Sequence, residues 1–169
     1  MQDRIFEINN IPEVPNVIEE KAENSLNEII NNYETLTKDS LKIVELSLEN
    51  NIVKPLTLYN LFFLIEIYLK SFLIKYSSLS VIEISNIKHN IFNLIENAND
   101  VEPKINFNKL KFLIANFKNK NQKGLEIQKY YDFKYNHKKE DDNLIFDYIY
   151  SEKELKNIKD VIDWINCRI

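Results

Sequence analysis

Apolar residues recur along this chain in steps of three and four, the period of an α-helix. Val17, Ile18, Ala22, Leu26, Ile29, Ile30 and Tyr33 mark a first amphipathic helix. Leu41, Val44 and Leu48 mark a second, entered near Asp39 or Ser40, both suited to cap a helix start. The stretch PLTLYNLFFLIEIYLKSFLIKY from Pro55 breaks the amphipathic pattern, because between Leu56 and Leu69 only Thr57, Asn60 and Glu66 are strongly polar. A helix that is apolar on almost every side must be enclosed by others. Pro55 suits its first turn, where the missing N–H would have had no partner. The fourteen residues from Leu56 to Leu69 fall short of a bilayer, and Glu66, Lys70 and Lys75 make insertion costly. The stretch therefore reads as a core helix and not as a membrane span.

After Ser77 and Ser78 the period resumes with Ile84, Ile87, Ile91, Leu94, Ile95 and Ala98. Read as one helix, these share a face whose centre lies opposite His89, so His89 would point away from the core. A second parse starts the helix after Asn90, an eligible N-cap, with His89 just before it. In neither parse is His89 an ordinary core residue. Phe107, Leu110, Leu113, Ile114 and Phe117 predict a further helix, followed by a connection around Gly124. The polar run from Lys129 to Asp142 reads as a loop or a frayed helix. Ser151 and Glu154 form a capping-box signature ahead of Leu155, Ile158, Ile162 and Ile165, with Trp164 beside that stripe. Residues 1–15, with Pro12 and Pro15 and little periodicity, read as an extended arm, leaving residues 16–169 as a single domain.

Composition supports the helical reading. The 169 residues include one Gly and four Pro, too few turn-formers for a many-stranded fold, and suffice for one domain with a sizeable core. The fold class expected is all-α, a five- to six-helix up-and-down bundle around an apolar central helix. The single cysteine, Cys167, excludes an internal disulfide, and no Cys or His spacing suggests zinc, so no metal and no cofactor is expected. MQDRIFEINN lacks the apolar core of a secretory signal, which makes the cytoplasm the expected location. The net charge of -4 conceals a segregation. From Lys104 to Lys139 ten lysines face only Glu126 and Asp132, a local excess of +8 that leaves -12 elsewhere. Such a segment attracts phosphates or an acidic partner, or docks on the chain's own acidic helices.

Three short motifs carry a family resemblance. LIEIYLKSFL, with Glu66 and Lys70 four residues apart among aliphatics, resembles a helix of the HEPN family (higher eukaryotes and prokaryotes nucleotide-binding domain). KHNIFNLI resembles that family's His-Asp-Leu motif, with His89 at the His, Asn90 replacing the Asp and Ile91 at the Leu. FKYNHK resembles its Arg-Tyr-Pro motif, with Lys134 and Tyr135 matching and Asn136 in place of Pro, and the terminal helix is similar to the family's closing helix. The resemblance runs from about Leu41 to Ile165. It implies a helical bundle paired as a homodimer and a role in bacterial stress, defence or toxin–antitoxin systems, alongside a nucleotidyltransferase-like or other partner protein.

The family's nuclease branch cleaves RNA without metal through an Arg-x(4-6)-His motif, and this chain lacks it. Arg4 and Arg168 are the only arginines, and neither precedes a histidine. The resemblance is closer to members that accompany nucleotidyltransferases or bind nucleotides without the nuclease motif, so an RNA- or nucleotide-associated role by binding is expected ahead of cleavage. By resemblance the ligand-binding candidates are Glu66, Lys70, His89, Asn90, Lys134 and Tyr135. Were the chain a divergent metal-independent ribonuclease, His89 or His137 would be the catalytic candidates. A third reading is a helical interaction or dimerisation module.

Each candidate also has a purely structural reading. Glu66 and Lys70, one turn apart with Glu first, suit a bundle-locking ion pair as well as a polar ligand pocket. His89 suits a capping or solvated position, and His137 lies in a lysine-rich stretch. Lys104, Lys111 and Lys118 repeat every seven residues as one charged stripe, a candidate nucleic-acid face or simply a solvated one. Of the aromatics between them only Phe112 is off the core stripe, which limits base stacking.

Overall fold

A computed structural model describes residues 16–50, 54–117, 124–125, 127, 130 and 151–169. Among them the fold is an all-α bundle of six helices: α1 (Asn16–Glu49), α2 (Lys54–Tyr76), α3 (Val81–Asn86), α4 (Ile91–Val101), α5 (Phe107–Ala115) and α6 (Glu152–Asn166). The expected arm at residues 1–15 lies outside the described residues, as do Lys118, Lys134, Tyr135 and His137.

α2 is the axis of the bundle. Leu58, Leu61, Phe62, Leu64, Ile65, Leu69 and Leu73 are shut off from solvent on successive turns, and α1, α3, α4 and α6 all pack on this helix. Each such side chain contributes roughly 1.5–3 kcal/mol by leaving water. At 23 residues α2 is longer than the apolar run at its centre suggests, and by length and composition it could cross a membrane. Its most apolar 18-residue window is 83% buried inside the bundle, so enclosure by neighbours, not shortness, makes it a core helix.

The two helices expected on either side of Asp39 are one. α1 runs unbroken for 34 residues, about 50 Å at 1.5 Å per residue. No Gly or Pro interrupts it, and its small polar residues are accommodated within the helix. The Thr37 hydroxyl donates to the Tyr33 carbonyl at 2.8 Å and the Ser47 hydroxyl to the Ile43 carbonyl at 2.6 Å, bonds that satisfy buried hydroxyls without ending the helix. Ser40 caps nothing; it is buried in the middle of α1. α2 returns along α1, so Lys75 near its end meets Glu34 at 2.8 Å.

The segment 81–101 also departs from the one-helix parse. α3 ends at Asn86, and Lys88 takes a left-handed backbone with φ 55°, uncommon for a side-chain-bearing residue. Asn90 then opens α4, its side-chain oxygen accepting from the Asn93 N–H at 3.1 Å. The apolar face of both pieces still points inward through Ile84, Ile91, Leu94, Ile95 and Ala98. α6 begins with the expected capping box between Ser151 and Glu154. Trp164 fixes α6 against α2 and α5 by edge and tilted contacts with Tyr68 and Phe107, at 5.9 and 5.5 Å between ring centroids.

Candidate functional site

The break between α3 and α4 decides where His89 goes. In a continuous helix it would face outward, but the reversal at Lys88 turns the imidazole toward α2, and Nδ1 lies 3.1 Å from each carboxylate oxygen of Glu66. Glu66 itself is buried at 2% exposure. Lys70, one helical turn on, donates to Oε1 at 2.7 Å. The hydroxyl of Tyr130 donates to Oε2 at 2.6 Å. Each carboxylate oxygen therefore has two partners, which fills the acceptor capacity of the group.

The arrangement follows from the cost of burying charge. An isolated carboxylate in this apolar helix would be strongly disfavoured. Lys70 supplies the opposite charge, and Tyr130 and His89 supply directed donors. Because Glu66 can only accept, the Nδ1 that faces it carries the proton, and the carboxylate sets both the tautomer and the orientation of the ring. Nε2 is then on the side turned away from Glu66. The His89 side chain is 44% exposed, against 10% for Lys70. A buried ion pair thus holds a half-exposed imidazole, the one member of the cluster a ligand can reach broadly.

Tyr130 closes the site on the bundle side. Fully buried, its ring meets His89 edge-on at 6.3 Å and lies against Tyr59 and Phe62 at 5.6 and 6.1 Å. In sequence it belongs to the lysine-rich segment from Lys104 to Lys139, so that segment contributes a residue to the cluster. Pattern reasoning misses it, since the run around Tyr130 is polar and aperiodic. Its only signal is the apolar trio Leu125, Ile127 and Tyr130, all buried.

Comparison with family models, with curated proteins and with solved structures finds no match. What can be said of the site comes from its geometry. Glu66, Lys70 and His89 meet in one cluster. Asn90 does not join it; its side chain is spent on the start of α4. Lys104 is exposed. Lys111 binds Glu96 at 3.0 Å and sits 6.0 Å over the Phe92 ring, so it spans α5 and α4 and is not a bare surface charge. Phe112 is 68% exposed, whereas Phe107 and Phe117 are core. Among the described residues no group of three His, Cys, Asp or Glu side chains is placed to hold a metal ion.

Proposed function

We propose that this chain is a HEPN-like, RNA- or nucleotide-associated component of a bacterial stress, defence or toxin–antitoxin-type system, cytoplasmic and homodimeric, which binds its ligand rather than cleaving it. The observation that carries the reading is the meeting of Glu66, Lys70 and His89. Three residues singled out by resemblance, with His89 23 positions from Glu66 in sequence, share one carboxylate. A structural lock needs only Glu66 and Lys70; the half-exposed imidazole adds a group turned toward solvent, with the exposed Lys88 beside it in sequence.

Binding is favoured over cleavage by the placement of the cations. Phosphodiester cleavage needs a proton carrier and a cation facing the phosphate. Lys70 is buried and engaged by Glu66, while Arg168 lies over the Trp164 ring, 4.0 Å from its centroid, at the far end of α6. A second reading, a metal-independent ribonuclease, draws on the same carboxylate–imidazole pair, which would suit His89 to proton transfer. The two separate in one experiment. Short RNA is titrated in EDTA over a salt series and the products are run on a gel, for wild type, His89→Ala and His137→Ala. Binding that weakens as salt rises and is lost in His89→Ala, with intact RNA, is the expected result. Cleavage abolished by either histidine variant would establish the ribonuclease instead. Absence of binding at low salt would remove both readings and leave an interaction module.

A further inference from the structure

α2 has a second polar face. At 100° per residue, Tyr68, Ser71 and Lys75 lie opposite Glu66 and Lys70. There they line a cavity of about 220 Å³, walled by Glu34 and Lys38 of α1 and by Arg168. Tyr68 and Ser71 are 6% and 7% exposed, yet neither hydroxyl has a hydrogen-bond partner among the described residues. Neither hydroxyl oxygen is among the buried, unpartnered atoms of the described residues, a set that holds Trp164 Nε1 alone, so both are open to the cavity and able to donate into it. Burial also pushes the Tyr68 hydroxyl up to about 12, so it remains a proton donor at neutral pH.

The charges point the same way. Three cationic side chains, Lys38, Lys75 and Arg168, line this one small cavity together with Glu34 and Ile169. Glu34, the one carboxylate side chain there, is already engaged by Lys75 at 2.8 Å. Arg168 donates to the Trp164 carbonyl at 2.5 Å. Lys75 and Arg168 sit at the C-terminal ends of α2 and α6, where positive charge offsets the helix dipoles. Lys38 and the two hydroxyls answer no such structural need.

We propose that this cavity is a phosphate-monoester site, in which Tyr68 and Ser71 donate to the phosphoryl oxygens, Lys38 and Arg168 supply charge, and the exposed ring of Tyr76 faces the organic part of the ligand. The cluster of cationic side chains suits a phosphate monoester, which carries about -1.5 to -2 at pH 7. Tyr76 extends the wall, its ring tilted against Phe72 at 5.0 Å between centroids. The site lies on the opposite face of α2 from Glu66 and does not depend on the function proposed for that cluster.

Isothermal titration of the full chain with inorganic phosphate, adenosine 5′-monophosphate and adenosine tests it. The phosphate-bearing probes bind and adenosine does not. Lys38→Ala and Tyr68→Phe each weaken binding of inorganic phosphate by about tenfold or more, the scale expected for a lost contact to a charged ligand, and Lys153→Ala, an exposed charge outside the cavity lining, leaves it unchanged. Tighter binding of the nucleotide than of phosphate assigns the ester as ligand, and equal affinities assign the free ion; both support the site. Failure of both phosphate-bearing probes to bind at millimolar concentration, phosphate binding indifferent to Lys38→Ala and Tyr68→Phe, or equal loss of it in Lys153→Ala overturns it.

Discussion

Two ionisable residues on α2, two positions apart in sequence and on opposite faces of the helix, show how burial decides chemistry. Glu66 is met by Lys70, His89 and Tyr130, whereas the Tyr68 hydroxyl is held protonated by desolvation. Desolvation raises Tyr68 from 10.0 to about 12, against the lowering field of Arg168, so the folded chain holds that proton more tightly than the unfolded one. The stability this contributes is complete below about pH 10, the unfolded value, and is lost as pH rises through the folded value. Urea unfolding from neutral pH to about pH 11 should therefore show a steeper alkaline loss for wild type than for Tyr68→Phe. Parallel curves would show that the hydroxyl is not held in a desolvated site. At this scale the sequence was only partly legible. Glu66 and Lys70 announce themselves by spacing alone on an apolar helix. Tyr130 does not, because what makes it matter is a carboxylate 64 positions away in sequence.

Among the elements, the α3–α4 junction has the largest consequence for the site. A single left-handed residue, Lys88, splits a run that is periodic throughout and reverses the direction of His89. A side chain in that conformation costs roughly 1–2 kcal/mol, of which the entropy of glycine would give back part. Lys88→Gly should then raise stability by up to about 1 kcal/mol, read as a higher urea midpoint, with the fold unchanged. A lower midpoint would mean that the left-handed turn is not as described. The break was visible in sequence only as a capping option at Asn90, since the apolar positions keep phase across it. Conversely, Asp39 and Ser40 looked like a cap, but α1 continues through them because nothing after Tyr33 interrupts the period. Helix starts are readable where polar caps meet a change of phase, as at Ser151 with Glu154, and are ambiguous where the phase persists.

For the whole molecule, the apolar character of α2 was the most informative signal, since a helix without a polar face dictates that the others surround it. The same enclosure gathers α2, the α3–α4 connection and Tyr130 on one carboxylate, and the functional reading rests on that junction. A double-mutant cycle of Glu66→Gln and Tyr130→Phe, measured by urea unfolding, tests it most directly. The direct bond from the Tyr130 hydroxyl to Glu66 predicts a coupling energy of about 1.5–3 kcal/mol, the range for a hydrogen bond to a charged group. Effects that add to within about 0.5 kcal/mol would show that the two side chains do not meet, and the cluster around His89 would have to be abandoned.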